Sequence, residues 1–382
     1  MNARGNTGAA SGPFIVAAVM TICAPAAPAD DAIIIDHTCT DINAVPEYWV
    51  EQAKDMFFGS YGHTSHGSQL VSGMNNLNDV MGCSCSGCSD PDCADCLYAW
   101  CDDYSFYKYG SGVPAPAGVW SLWDYEPEGA SDLGNPNRTA WEAATRTMLD
   151  TPAYESRNFV MWSWCGQADT SEENIQLYLN LMSGLELDYP DVVFVYMTGH
   201  LNGTGLDGNL HARNEQIRAH CVANGCVLFD FADIESYDPD GKWVLPLDAD
   251  DGCYYWEDGS HKNWADEWCA DHPGDPLCDS CSCAHSRALN CNLKGRAVWW
   301  MLARIAGWNG PSQDGCAGDL NCDGIVDFDD IDPFVSALGC DDGDPNCWSG
   351  PCAWLNGDCN DDDDVTFDDI DPFVARIGAM CP

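Results

Sequence analysis

Four short segments of the chain carry hydroxyl, amide, glycine and imidazole groups of the kind that acyl chemistry uses. In chain order they are Tyr61-Gly-His-Thr-Ser-His-Gly-Ser68-Gln69, Ser163-Trp-Cys-Gly166-Gln167, Thr198-Gly199-His-Leu-Asn202-Gly203 and Cys283-Ala-His285-Ser286. A serine beside glycine at a strand-to-helix turn can expose its hydroxyl over a helix N-terminus. Ser68 fits that description, and it would serve equally well as a helix N-cap. His285 has the alternative of a structural histidine bonded to the backbone.

The elements that must position these segments alternate along the chain. Apolar runs predict strands at residues 32–35, 158–164, 192–197 and 227–231, and amphipathic stretches predict helices at residues 172–187, 210–222 and 293–306. Buried strands that alternate with helices indicate an α/β fold with a mostly parallel sheet. In such sheets catalytic residues lie just past the carboxyl ends of the strands. We therefore expect the segments to meet at one edge of the sheet.

In this order the four segments resemble the four sequence blocks of the SGNH (GDSL-like) hydrolases, over about residues 32–308. The resemblance implies a flavodoxin-like, doubly wound sheet with cysteine-rich inserts. It also implies that Ser68 is the nucleophile and His285 the general base. The backbone of Ser68 and Gly166 and the side chain of Asn202 would form the oxyanion hole. The chain is also similar to a group of secreted bacterial proteins that carry His-Thr-Ser-His-Gly-Ser-Gln together with a dockerin.

The chain departs from the SGNH pattern at two of these positions. Ser68 lies in His-Gly-Ser, where the family has Gly-Asp-Ser. The family also has an aspartate three residues before its histidine, and Ser282 occupies that position here. Asp279 is close in sequence, so either Asp279 orients the imidazole or the site acts as a serine–histidine dyad.

A second constellation is repeated in two acidic loops that lie 39 residues apart near the C-terminus. A 12-residue calcium loop places ligands at positions 1, 3, 5, 7, 9 and 12, with a backbone carbonyl at position 7. The first loop supplies Asp319, Asn321, Asp323, the carbonyl of Ile325, Asp327 and Asp330, and the second supplies Asp358, Asn360, Asp362, the carbonyl of Asp364, Thr366 and Asp369. Such a density of hard oxygen ligands implies a divalent cation, and flexible carboxylate ligation favours Ca2+.

Each loop runs into Ile-Asp-Pro-Phe-Val, which begins a helix with one apolar face. The two faces are predicted to pack together, and they consist of Ile331, Phe334, Val335 and Leu338 and of Ile370, Phe373, Val374 and Ile377. Residues 316–382 resemble a type I dockerin, a small all-α calcium-binding domain, which implies a cohesin-like or cell-surface partner. Two features depart from that pattern: Asp363 replaces the glycine of the second loop, and both loops have Phe-Asp at positions 10 and 11.

The N-terminus and the charge indicate a secreted protein. An apolar run at residues 14–22 followed by Ala27-Pro28-Ala29 has the layout of a secretory signal, here residues 1–29. No segment is long and apolar enough to span a membrane. A formal net charge of −46 excludes nucleic acid and anionic membranes as partners. The remaining chain is predicted to form a hydrolase domain at residues 30–310 and a calcium-binding domain at residues 311–382.

Cysteine usage agrees with an oxidising compartment. The chain has 24 cysteines, many of them in two inserts at residues 83–101 and 269–291. Disulfides are predicted there, and a zinc knuckle is the alternative for the first insert. Loss of Cys23 with the signal leaves an odd number, so either one thiol is free or the cleavage site differs.

Other functions fit parts of the sequence. His63 and His66, with His37, His200 or His211, are candidate ligands of a metal-dependent hydrolase. Abundant carboxylates allow a glycoside hydrolase, and 16 tryptophans allow a non-catalytic carbohydrate-binding protein. Dockerin-like tails usually accompany secreted polysaccharide-degrading enzymes. The resemblance therefore favours a carbohydrate esterase that removes acyl groups such as acetyl from a polysaccharide.

Overall fold

The computed structural model describes Met1 and residues 32–80, 106–107, 118–124, 127–308, 310, 316–338, 340, 347–348, 350, 352, 354–360 and 364–381. The predicted signal after Met1, the cysteine-rich insert at residues 83–101, the predicted ligand Asp362 and the neighbouring Asp363 lie outside these residues. None of the described helices is long and apolar enough to cross a membrane.

Seven strands form one parallel sheet. They are β1 (Ile33–Ile35), β2 (Phe58–Gly62), β3 (Phe106–Tyr107), β4 (Trp120–Trp123), β5 (Phe159–Trp162), β6 (Val193–Met197) and β7 (Val227–Phe229). Their order is β1-β7-β6-β5-β2-β4-β3, and each neighbouring pair runs parallel. The predicted α/β fold with a parallel sheet is confirmed. The strand order reverses at β2, so the carboxyl end of β2 is a topological switch point.

Helices cover both faces of this sheet. They are α1 (Glu47–Met56), α2 (Ser68–Val80), α3 (Ala140–Leu149), α4 (Glu172–Asp188), α5 (Asn209–Asn224), α6 (Phe231–Ile234), α7 (Trp264–Asp271) and α8 (Ala288–Ala306), and a hairpin of β8 (Tyr254–Glu257) and β9 (Ser260–Asn263) precedes α7. Successive side chains of a strand point to opposite faces. Phe159 and Met161 of β5 therefore belong to the core with α1, α2 and α8, whereas Val160 and Trp162 belong to the core with α3, α4 and α5.

The interior strand β2 lacks a long apolar run because two of its five residues are glycine. A Cβ atom at Gly59 would lie 2.9 Å from the ring of Trp120, and one at Gly62 would lie 2.2 Å from the ring of Trp162. The indole rings of the two neighbouring strands occupy the space that side chains of β2 would need. Apolar residues on β4 and β5 thus replace those missing from β2.

Helix α8 packs against α2 where both helices carry glycine. A Cβ atom at Gly73 would lie 1.8 Å from the carbonyl oxygen of Cys291, and one at Gly295 would lie 2.2 Å from the carbonyl carbon of Gly73. The two backbones are therefore in direct contact. This contact brings the start of α2, which follows the loop after β2, close to the start of α8, which follows His285.

The residues after 316 have a small core of their own. The two acidic loops lead into α9 (Ile331–Ala337) and α10 (Ile370–Arg376), and the short strands β10 (Ile325–Val326) and β11 (Ala379–Met380) pair antiparallel. Phe334 stacks on Phe373 with ring centroids 4.4 Å apart. The predicted packing of the two helical faces occurs only in part, because each helix has only seven residues. Four members of those faces are exposed, namely Ile331, Val335, Ile370 and Val374.

Five disulfides join described cysteines, which confirms the predicted disulfide bonding. They are Cys269–Cys278, Cys283–Cys291, Cys316–Cys381, Cys322–Cys352 and Cys340–Cys347. The first two belong to the predicted second insert, and Cys283–Cys291 encloses His285. Among the free cysteines of the described residues, Cys165 and Cys281 are half-buried and the others are buried.

Gly73→Ala is expected to lower the free energy of unfolding by about 1–3 kcal/mol or more, the usual cost of overpacking, because the new methyl group meets backbone. Gly184→Ala in α4 is the matched control, since its Cβ would meet only the Arg146 side chain at 3.7 Å. Alanine should stabilise that helix by roughly 1 kcal/mol. Denaturant unfolding followed by circular dichroism compares the two variants. Equal stability would contradict the close contact of α2 and α8.

Candidate functional site

The loop between β2 and α2 forms a tight turn at the switch point of the sheet. The Tyr61 hydroxyl donates to the Gly67 carbonyl at 2.9 Å. A Cβ atom at Gly67 would lie 2.1 Å from Ser163 Oγ and 2.4 Å from His63 Cβ. Only glycine fits at that position. The turn holds His66 in the interior, where the residue is only 6% exposed.

Four further side chains surround His66. Its ring stacks on His200 with centroids 3.9 Å apart and planes 2° apart, and on His285 with centroids 4.5 Å apart and planes 13° apart. His66 Nε2 lies 2.8 Å from Asp251 Oδ2, and His66 Nδ1 lies 3.8 Å from Cys165 Sγ. We call these five residues the imidazole cluster. Cys165 follows β5 and His200 follows β6, so the cluster lies at the carboxyl edge of the sheet.

Asp251 reaches the cluster through a turn that pairs with the loop after β6. Asp250 Oδ1 accepts the N–H groups of Gly252 and Tyr254, both at 3.0 Å, and this fixes the turn. The N–H of Gly203 donates to the Ala249 carbonyl at 3.1 Å. Backbone pairing thus brings the aspartate next to the loop that carries His200.

The electrostatics of the cluster determine which atom of His66 is basic. Burial lowers the pKa of His66, although the hydrogen bond to Asp251 acts to raise it. Burial acts to raise the pKa of Asp251, but the hydrogen bond from His66 and the nearby imidazoles of His200 and His285 outweigh it, and the pKa lies below its ordinary value. Asp251 is therefore an anionic acceptor and His66 a neutral donor through Nε2. The free lone pair of His66 is then on Nδ1, which faces Cys165.

A buried ion pair supports the loops that carry the cluster. Lys294 Nζ lies 2.6 Å from Glu235 Oε1 and 2.5 Å from Gln69 Oε1, and both charged side chains are almost fully buried. The other oxygen of Glu235 accepts the N–H of Leu201 at 2.8 Å. Gln69 Nε2 donates to the Ala284 carbonyl at 2.6 Å. The positions of His200 and His285 are both linked to this pair.

Of the two residues that the SGNH resemblance pairs, only His285 lies in the cluster. His285 has a positive φ of 64°, which is uncommon for a residue other than glycine. Ser68 is the first residue of α2, and its hydroxyl donates to the Ser65 carbonyl at 2.7 Å. No hydrogen bond joins Ser68 to His285 in the part of the chain that the structure describes. The N-cap alternative predicts a different bond, because a cap oxygen accepts a backbone N–H whereas the Ser68 hydroxyl donates to a carbonyl.

The other residues of the expected oxyanion hole and triad have partners of their own. Asn202 Nδ2 donates to Asp169 at 3.2 Å, and Asn202 Oδ1 accepts from the Thr204 hydroxyl at 2.5 Å. The N–H of Gly166 donates to Gln167 Oε1 at 3.1 Å, and a Cβ at Gly166 would lie 3.8 Å from His200 Nε2. Gly166 thus borders the cluster. Asp279 uses its carbonyl to accept from two asparagine side chains, and among the described residues no contact joins its carboxylate to His285.

Only two of the histidines proposed as metal ligands come together among the described residues. His66 and His200 come together, whereas His63 Nε2 lies 2.7 Å from Asp124 and His37 Nδ1 lies 2.5 Å from Asp233. His211 lies on α5. One ligand atom from each of His66, Asp251 and His285 falls within 4.8 Å of the others, so these three side chains are close enough to share a cation.

Sequence reasoning missed Cys165 and Asp251. Cys165 lies within one of the four segments, and its signal was the odd cysteine count of the mature chain. Asp251 belongs to an Asp-Asp-Gly turn among 61 acidic residues, and its sequence neighbours do not distinguish it.

The two acidic loops share one hydrogen-bond pattern. Asp330 accepts the N–H groups of Leu320, Asn321 and Asp327, and Asp369 accepts those of Cys359, Asn360 and Thr366, at 2.8–3.0 Å. Both aspartates are fully buried. Burial, aided by the charges of Asp330 and Asp323, raises the pKa of Asp319 to about 6. The loops therefore gather buried carboxylates at the positions expected of ligands.

Comparisons of the chain with protein-family models, with curated proteins and with solved structures find no match. The fold and the cluster define an α/β protein with a histidine–carboxylate site at the switch point of a parallel sheet. What this site does is inferred from its geometry and from the sequence segments that form it.

Asp251→Asn is expected to lower the pKa of His66 further, because the carboxylate raises that pKa through its hydrogen bond and its charge. NMR titration of the histidine signals measures this shift. Asp248→Asn is the control, since Asp248 is exposed and has a φ of 54°, which asparagine tolerates. A His66 pKa that is unchanged or higher in Asp251→Asn would show that the pair does not form.

Proposed function

We propose that this chain is a secreted hydrolase that cleaves ester bonds, with His66 as its general base. The observation that carries the proposal is the buried His66 imidazole, whose Nε2 is hydrogen-bonded to Asp251 and whose Nδ1 is left basic. The imidazole follows the carboxyl end of β2, where the strand order reverses. Open α/β sheets bind ligands at that position.

The chemistry requires a base and an acid in turn. A general base removes a proton from the nucleophile as it attacks the acyl carbon, and the same proton is then delivered to the leaving alcohol. Asp251 stabilises the imidazolium form of His66 between these two transfers. His285, which the SGNH resemblance assigns as the base, stacks on His66 and offers a second imidazole for the leaving group.

The reaction class and substrate rest on the SGNH-like segments, on the strand order and on one exposed aromatic residue in the hairpin that follows Asp251. The strand order β4-β2-β5-β6-β7 is that of flavodoxin-like sheets, as the resemblance implies. Trp256 of β8 is 54% exposed and lies five residues after Asp251. An exposed indole offers a flat apolar face for a sugar ring. These features favour an acylated polysaccharide as the substrate.

His66→Gln is expected to reduce kcat/KM for 4-nitrophenyl acetate and for an acetylated polysaccharide by about 10²–10⁴-fold, the usual contribution of a general base. His63→Gln is the matched control. His63 lies in the same loop and is bonded to Asp124 rather than to the cluster, so its loss should change kcat/KM only a few-fold.

Two results would contradict this proposal. One is equal activity of His66→Gln and His63→Gln. The other is loss of activity on treatment with 1,10-phenanthroline in excess Ca2+, with recovery on addition of zinc. The second result would favour the metal-dependent hydrolase, with His66, Asp251 and His285 as ligands.

We further propose that the two C-terminal loops bind Ca2+, as in a dockerin. The support is the matching set of backbone hydrogen bonds to Asp330 and Asp369 and the burial of Asp319 and Asp323. Carboxylate, amide and carbonyl oxygens are the ligands that Ca2+ takes in such loops. Each bound ion would offset the repulsion among these carboxylates and so stabilise the domain.

Removal of Ca2+ with EGTA is expected to lower the melting temperature of the C-terminal transition, because ion binding stabilises only the folded loops. Asp330→Asn should reduce the number of tightly bound Ca2+ ions by one in calorimetric titration. Asp332→Asn is the control, since Asp332 is exposed two residues further on, in α9. The same Ca2+ stoichiometry in both variants would contradict the ligand assignment.

A cohesin-like or cell-surface partner is proposed for the same domain. The two repeats expose equivalent apolar residues, which are Phe328, Ile331 and Val335 in the first and Phe367, Ile370 and Val374 in the second. Apolar residues exposed at matching positions are typical of binding surfaces.

A further inference from the structure

We propose that Cys165 is the nucleophile of the imidazole cluster and that the enzyme forms a thioester with the acyl group of its substrate. This inference rests on the proposed ester hydrolase function and names the group that attacks. Cys165 is half-buried, and its thiol is free. Its sulfur lies 3.8 Å from His66 Nδ1, the nitrogen that the bond to Asp251 leaves basic.

The atoms line up in the order that nucleophilic catalysis needs. Cys165 Sγ faces Nδ1 of His66, and Nε2 of the same ring bonds Asp251 Oδ2 at 2.8 Å. A nucleophile, a base and a carboxylate that orients the base therefore form one chain. Because Asp251 fixes the proton of neutral His66 on Nε2, the lone pair on Nδ1 is free to accept the thiol proton.

No hydroxyl competes for this position among the described residues. The Ser68 hydroxyl donates to the Ser65 carbonyl. The hydrogen bonds of His66 go to Asp251 and Cys165, and His200 Nδ1 contacts the Leu201 carbonyl at 2.6 Å. No serine or threonine hydroxyl in the part of the chain that the structure describes bonds to His66, His200 or His285. The thiol is thus the group that the base reaches.

Adjacent backbone donors are available for the oxyanion. The N–H groups of Cys165 and Gly166 both donate to Gln167 Oε1, at 2.9 and 3.1 Å. Two neighbouring donors that meet on one oxygen are what a tetrahedral oxyanion requires. Rotation of the Gln167 side chain would leave them free for the substrate.

The reaction balances without an oxidant or a metal. His66 Nδ1 takes the thiol proton, the thiolate attacks the ester carbonyl carbon, and a C–S bond forms. The C–O bond to the alcohol breaks, and the alcohol leaves with the proton from His66. Water then gives a proton to His66 and attacks the thioester, the C–S bond breaks, and the sulfur recovers its proton as the carboxylic acid departs.

The test compares Cys165→Ala with Cys281→Ala in the full chain. Cys281 is the other half-buried free cysteine among the residues that the structure describes, and it lies outside the cluster. Cys165→Ala is expected to lower kcat/KM for 4-nitrophenyl acetate by about 10³-fold or more, whereas Cys281→Ala should retain activity. Mass spectrometry of wild-type protein quenched in acid during turnover should find an acetyl group on Cys165 that hydroxylamine removes.

A second measurement does not depend on folding of the Cys165 variant. Iodoacetamide should alkylate Cys165 of the folded wild-type chain faster than Cys281, and His66→Gln should slow that reaction at least tenfold. If wild-type protein hydrolyses esters and Cys165→Ala does too, the thiol is not the nucleophile and the proposed hydrolase function stands. If wild-type protein hydrolyses no ester, the proposed function fails. If iodoacetamide alkylates Cys165 equally fast in wild-type protein and in His66→Gln, the thiol–imidazole pair is overturned as well.

Discussion

The buried ion pair between Lys294 and Glu235 is the interaction on which the site depends. Its two charges lie in the interior, where desolvation disfavours them, and burial lowers the pKa of Lys294. Removal of one partner from such a pair typically costs about 3–5 kcal/mol, because the other charge stays buried and unpaired. Gln69 and the N–H of Leu201 complete the hydrogen bonds of the pair. The loops that carry His66, His200 and His285 are therefore held relative to one another by a network that tolerates little displacement.

The network can form only because α2 and α8 approach until their backbones meet. Gly73 and Gly295 permit that approach, and Gln69 and Lys294 lie one turn or less from the contact on their own helices. A side chain at either glycine would separate the helices and lengthen the bonds to Lys294. The packing of α2 against α8 and the geometry of the site therefore depend on each other. The glycines set the distance between the two helices, and the hydrogen bonds of Lys294 fix how the helices are aligned.

Periodic and local features could be predicted from the sequence, and pairings distant in the chain could not. Buried runs such as residues 192–197 predict strands directly, and the parallel sheet follows from their alternation with helices. His285 is predicted from the SGNH-like segment before the helix at residues 293–306 and lies in the cluster, whereas Ser68 is predicted from its turn and proves to be bonded locally. Asp251 meets His66 across 185 residues through backbone pairing of two loops, and no periodicity records such a contact. The acidic loops are a local feature of the sequence, since all the candidate ligands of each loop lie within 12 residues.

The stacking of three imidazoles limits how much charge the cluster can hold. Two imidazolium rings about 4 Å apart would repel by about 4 kcal/mol at an effective dielectric constant of 20, and Asp251 supplies one compensating charge. His200 already acts to lower the pKa of His66. Two protonated rings side by side are therefore disfavoured in the stack. The ester cleavage proposed for the site requires only one proton on the base at a time, since the base accepts one proton from the nucleophile and returns it to the leaving alcohol before it accepts the next.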